Sequence, residues 1–169
     1  MVFLFKLNGI AFSYLAKSKF ISWVFLPAGL RLVAVLLFGL YGVAGLFFGA
    51  MATGLQNGLD VPTTVTISLI SAVNPYLAIN TTKYCLKIDR LMTGLNAKQL
   101  LSISFFAALF NGLSHNLYFH THIHETTLEN CITMLVGDFL GSLILLYAFA
   151  LGIKLLRKTV KVQSNPVTK

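Results

Sequence analysis

Charge is scarce in this sequence and acid is scarcer still. Of 169 residues only 11% are charged, with 13 Lys and Arg against 5 Asp and Glu. A water-soluble domain normally carries about a quarter of its residues as charges. Cysteine occurs twice, at Cys85 and Cys131. The topology derived below puts those two on opposite membrane faces, so they do not pair within one chain and read as small apolar fillers. Catalytic signatures are missing as well: no His-Glu-x-x-His, no Gly-rich phosphate loop, no Ser/His/Asp spacing and no paired intramembrane carboxylates. Nothing here supports a reaction of the chain's own.

Apolar residues fill the space that charge leaves. They make up 56% of the chain, and the mean hydropathy is +0.78. Four blocks stand out, at residues 32–55, 64–82, 100–119 and 132–153. Each is close to or beyond the roughly 20 residues that cross about 30 Å of hydrocarbon as an α-helix. A soluble fold would leave much of this surface in water, which soluble monomers avoid. The expected fold is all-α, a polytopic transmembrane bundle over residues 1–158, followed by a short basic cytoplasmic tail at 159–169. The partners this implies include the membrane lipids themselves.

The net charge of +8 does not point to nucleic acid, because the cations are confined to segments between apolar blocks. Lys83, Lys87, Arg90 and Lys98 flank one gap, and Lys154, Arg157, Lys158, Lys161 and Lys169 follow the last block. The alternate gaps carry Asp60, Glu125 and Glu129 without Lys or Arg. Lys and Arg accumulate in cytoplasmic loops, so the cationic segments lie inside and the acidic ones outside. The stretch from Lys154 to Lys161 lies against anionic headgroups, at about 1 kcal/mol per cation.

The first thirty residues allow two readings. Residues 1–30 form an interfacial or re-entrant hairpin ahead of four spans, or the chain breaks between Gly39 and Gly42 and makes six: 1–16, 20–38, 43–55 and the three later blocks. The six-helix count is preferred, although it places Lys17 and Lys19 outside. Both counts are even and leave both termini inside. Lys6 interrupts residues 1–16 and no small-residue cleavage pattern follows, so this segment reads as part of the membrane domain rather than a signal peptide. No internal repeat stands out.

Gly39, Gly42, Gly45 and Gly49 fall along one helical stripe, and Gly137 and Gly141 form a Gly-x-x-x-Gly. Such spacing lets helix backbones approach closely, and packing within the chain is preferred over a homodimer face. Arg31 and Asp138 are opposite charges inside apolar segments. A central Arg or Asp costs about 2.5–3.5 kcal/mol there, so a helix-to-helix pair competes with separate solvation of each. Asn74-Pro75 interrupts block 64–82, where proline removes a helical hydrogen bond. Asn74, Tyr76 and Asn80 are then candidates to face a ligand, against a simple kink with Asn74 bonded to a neighbour. Asn80-Thr81-Thr82 matches a glycosylation sequon at the inner end of a span and is discounted. His115 ends one block, and His120, His122, His124 and Glu125 follow. In an extended segment the three loop histidines would share one side and suit zinc or copper, against a pH-sensitive or merely polar loop.

The segment from Phe25 through Pro27, Gly29 and Arg31 to Gly39, continuing to Phe47-Phe48-Gly49, resembles the first membrane-associated sensor domain family of bacteria. A second similarity is Gly137-Asp138-Phe139-Leu140-Gly141, a Gly-Asp…Gly element of a late helix. Together they cover about a third of the chain. The resemblance implies a bacterial inner-membrane sensor in which Pro27, Gly29, Gly137 and Asp138 are shared turn and polar elements. Those sensors usually continue into a cytoplasmic signalling module. Here, sensing would pass through a membrane or cytoplasmic protein partner. The rival readings are a small transporter or transporter subunit with a midplane site near Arg31, Asn74 and Asp138, and a structural subunit docking through the glycine stripes.

Overall fold

The computed structural model describes residues 10, 24–87, 96–122 and 128–163, the last eleven of these as backbone only. Expectations for residues 1–16, Lys17, Lys19, Arg90, His124, Glu125 and the end of the tail lie outside the described residues. Within them the fold is all-helical. Five helices follow in order: α1 Leu26–Phe38, α2 Leu40–Gln56, α3 Val61–Leu86, α4 Ala97–His122 and α5 Leu128–Gln163. Two segments, Ala97–His122 and Leu128–Gly152, are long and apolar enough to cross a membrane, with mean hydropathies of 1.2 and 2.0. Helix α3 is as long as α4 but falls short in hydropathy, and α1 and α2 are shorter apolar helices.

Block 32–55 is not one span. The chain breaks at Gly39, whose φ of +56° is a conformation that side chains rarely adopt. Gly39 N–H still donates to Val35 O at 2.9 Å, while Gly39 O accepts from Val43 N–H at 3.2 Å. One residue thus ends α1 and starts α2. The return packs Gly42 against the Ala34 backbone so tightly that a Cβ would lie 2.4 Å from Ala34 O.

The other ends are written locally. Helix α2 closes with Leu59 N–H on Gly54 O and Gly58 N–H on Leu55 O, with Gly58 at φ +78°, a Schellman arrangement. Asp60 then caps α3 by accepting from Thr63 N–H at 3.1 Å, with Pro62 in the first turn. Asn96 and Gln99 cap α4 reciprocally, each side chain on the other's backbone N–H at 2.9 Å.

Neighbours in sequence pack in turn, and α1 against α5 closes the ring. Helix α1 also touches α3 and α4, so it contacts each of the other helices. Its start is set by α5. Phe25 N–H donates to Gly137 O at 3.0 Å, and a Cβ on Gly141 would lie 2.2 Å from Phe25 O. A Cβ on Gly29 would meet Leu145 Cβ at 2.6 Å. Higher residues of α1 meet higher residues of α5, so the two run in the same direction. Only glycine permits this approach, and it carries Arg31 to Asp138.

Helix α3 runs through Asn74-Pro75 without ending. The expected interruption is therefore a lost hydrogen bond inside a continuous helix.

Candidate functional site

Arg31 from α1, Asn111 from α4 and Asp138 from α5 meet in the interior. Each is at most 4% exposed. Arg31 Nη1 donates to Asn111 Oδ1 at 3.0 Å, Asn111 Nδ2 donates to Asp138 Oδ2, and Arg31 Nη2 lies 3.7 Å from Asp138 Oδ1. The amide thus joins the two charges into one ring of contacts. Asp138 lies ten residues after Leu128, the start of α5, and so about 15 Å along that helix. Arg31 also lies over the Phe25 ring, 5.7 Å from its centroid, within cation–π range.

His115, one turn beyond Asn111 on α4, extends the cluster. Its Nδ1 is 3.0 Å from Asn111 O, and its Nε2 is 3.3 Å from Ser71 Oγ on α3. A carbonyl only accepts, so Nδ1 carries the hydrogen. In the neutral ring Nε2 then accepts from the Ser71 hydroxyl. Asn74 Nδ2 donates to Phe110 O at 3.3 Å, tying α3 to α4.

A cavity of about 80 Å³ adjoins this cluster. Arg31, Ser71, Asn111 and His115 supply its polar wall with Thr53, and Phe25, Phe119 and Met134 are among its apolar lining. A second void of about 10 Å³ lies between Arg31, Asn74, Asp138 and Ser142. Ser142 Oγ there is buried and has no hydrogen-bond partner. Mostly apolar walls with a few convergent polar groups are the ordinary form of a small-molecule site.

Not every candidate from the sequence joins it. Asn80 is exposed and donates to Tyr76 O on its own helix at 2.9 Å, and Tyr76 is itself exposed. Both are corrected to the helix perimeter. His120 and His122 are helical residues of α4, not part of an extended segment. Two positions apart on a helix, they do not share a side. His122 stacks on Tyr118 with centroids 4.5 Å apart. Among the described residues no three or more of His, Cys, Asp and Glu gather as a metal site. The glycine stripe divides. Gly42 packs inside, a Cβ on Gly45 would meet nothing within 4 Å, and Gly49 O accepts from Thr53 Oγ at 2.8 Å. Cys85 is exposed and Cys131 partly so, and neither is a buried filler.

Asn111, Ser71 and Thr53 were not singled out from the sequence. The signal for Asn111 was present in the spacing of Ser104, Ala108, Asn111 and His115, a small and polar stripe at helical period, all buried. Ser71 belongs to a similar stripe on α3 with Thr64, Ser68, Ala78 and Thr82.

No known protein family, no characterised protein and no solved structure matches this chain.

Proposed function

We propose that the chain is a multi-pass α-helical protein of the bacterial inner membrane, with both termini cytoplasmic. It binds a small ligand in the cavity beside Arg31 and passes the signal to a protein partner, without catalysis of its own. The observation that carries this reading is a cluster of buried polar groups, Arg31, Asn111, His115 and Asp138, beside a cavity in a bundle with an apolar exterior. Charged groups inside membrane segments face the bundle interior and mark functional sites. The alternation of cationic and acidic loops supports the orientation, and the Pro27, Gly29 and Gly137–Gly141 similarity supports sensing.

A thermal-shift screen of small metabolites tests it, comparing wild type with Ala50→Phe, which fills the cavity. At least one compound should stabilise only the wild type. If no compound separates the two proteins, the cavity is not a ligand site. Uptake of that compound into proteoliposomes by the purified chain alone would favour the transporter reading over a sensor with a partner.

A further inference from the structure

The charges of the site restrict what the cavity accepts. Arg31 and Asp138 offset each other, and His115 in the tautomer set by Asn111 O is neutral, so the site as built carries no net charge. The Arg31 fork is nevertheless not consumed. Asn111 takes Nη1 at 3.0 Å, but Asp138 Oδ1 stands 3.7 Å from Nη2, beyond hydrogen-bond length. A guanidinium presents planar paired N–H groups that match a carboxylate. Its remaining donors belong to a group that lines the cavity.

Resting on the ligand-binding reading above, we propose that the cavity takes a small monocarboxylic acid, bound as carboxylate on Arg31 together with one proton on His115. An 80 Å³ cavity is roughly half the size of one that admits benzene. On that scale it suits a ligand of roughly three or four non-hydrogen atoms, the size of acetate, with its methyl against Phe25, Phe119 and Met134. A carboxylate alone would leave one uncompensated negative charge in a dry interior, which is costly. Moving the acid's own proton to His115 Nε2 restores neutrality. The bond broken is the carboxyl O–H, the bond formed is Nε2–H, and nothing else changes.

The Ser71 contact is compatible with both states. With His115 neutral, the Ser71 hydroxyl donates to Nε2 across 3.3 Å. With Nε2 protonated, Ser71 Oγ becomes the acceptor and its own hydrogen is released to turn to the carboxylate. Proton uptake at His115 therefore supplies a second donor for the ligand. The charged groups of this cluster are Arg31 from α1 and Asp138 from α5, while α2 and α3 bring the uncharged Thr53 and Ser71 to the cavity wall, among the described residues.

The test is calorimetry on the full chain in lipid nanodiscs near pH 7, with acetate, butyrate, acetamide and dodecanoate. Runs in two buffers of different ionisation heat count protons. Acetate should bind with uptake of about one proton per ligand, and butyrate, too large for the cavity, and acetamide each at least tenfold more weakly. His115→Gln should lose the uptake, and Ser71→Ala should weaken acetate several-fold. The near-isosteric Asp138→Asn should bind acetate without uptake, because the Arg31 charge is then unopposed. Acetamide equal to acetate, with no proton taken up, overturns the acid while leaving a ligand cavity standing. Binding of dodecanoate alone assigns the carboxylate to a membrane-borne fatty acid and overturns the small acid. No binding by any of the four overturns it as well, and the metabolite screen then decides the cavity separately. The wild-type measurements decide the question even if a variant does not fold.

Discussion

Thr64, Asn74, Asn111, Thr133, Asp138 and Ser142 are buried in this bundle, while Leu40, Phe48, Leu113, Leu117 and Tyr147 are more than half exposed. A water-soluble protein distributes these residue types the other way. Small and polar side chains line the helix contacts here because they let backbones close to within reach of one another, as Gly29 and Gly141 do between α1 and α5. Leu32, Ile79, Ile103 and Leu146 remain buried among them, while many other large apolar side chains are left to the perimeter. Interior specificity thus comes from hydrogen bonds and close approach as well as apolar packing, and the perimeter keeps large apolar side chains exposed.

The contrast is most sharply broken from the inside. Asp138→Ala leaves the Arg31 guanidinium buried without its carboxylate and removes the acceptor of Asn111 Nδ2. Breaking one side of a buried pair costs about 3–5 kcal/mol. The unfolding midpoint in mild detergent should fall accordingly. The triple variant Arg31→Met, Asn111→Leu, Asp138→Leu should recover most of the loss, since an apolar cluster of similar volume leaves no buried charge and no unpaired amide. An Asp138→Ala protein as stable as wild type would show that the pair does not hold the interior.

From the outside the expected cost is slightly smaller. Leu113 lies towards the middle of α4 and is 53% exposed. Leu113→Arg should cost about 2.5–3.5 kcal/mol for insertion if that face meets lipid. The same change on a face in water stays within about 0.5 kcal/mol. The membrane-inserted fraction of Leu113→Arg, measured against wild type, separates the two. Full insertion at wild-type level would remove lipid from the Leu113 face.

How far the sequence reveals this arrangement depends on which residue is asked about. Arg31 and Asp138 were legible as opposite charges in apolar segments, because any charge there demands an explanation. The Gly39 break was legible because glycine is the residue that tolerates a positive φ. Asn111 was not, since an amide in an apolar block costs less than a charge and attracts less notice, although it joins the two charges. Ser71 was hidden for a different reason. A helical serine commonly bonds its own backbone, and only the fold shows that His115 lies opposite it. For the histidines the sequence leaves the backbone open: a shared side requires an extended segment, and α4 continues to His122.

The glycines sharpen the comparison at a single-methyl scale. A Cβ at position 141 would lie 2.2 Å from Phe25 O, whereas one at position 45 would have nothing within 4 Å. Gly141→Ala should destabilise by about 1–3 kcal/mol, since backbone must move to admit the methyl. Gly45→Ala should be neutral or gain up to about 1 kcal/mol from helix propensity. Thermal midpoints of the two variants give the answer directly. Equal losses at both positions would mean that the groove around Gly45 is occupied in the membrane.

The smallest effect lies at the rim, where α3 begins with an exposed capping carboxylate. The Thr63 backbone N–H, and then its hydroxyl, hold the Asp60 carboxyl below the usual carboxylate range. A folded-state value below the unfolded one means that the cap stabilises fully above the ordinary carboxylate range of about 3.9. The contribution is lost as pH falls through the lower folded value. Amide exchange in the first turn of α3 should therefore accelerate on acidification in wild type. In Asp60→Asn the side chain still caps the helix but does not titrate in this range, so the same amides should show no such acid-dependent step beyond the intrinsic pH dependence of exchange. Interior amides of α3 around Ala78 and Ile79 provide the internal reference, because they are protected by packing rather than by a titrating cap. If the first turn of α3 shows the same step in Asp60→Asn as in wild type, the rim is not held by this carboxylate, and the acid sensitivity has its origin deeper in the bundle.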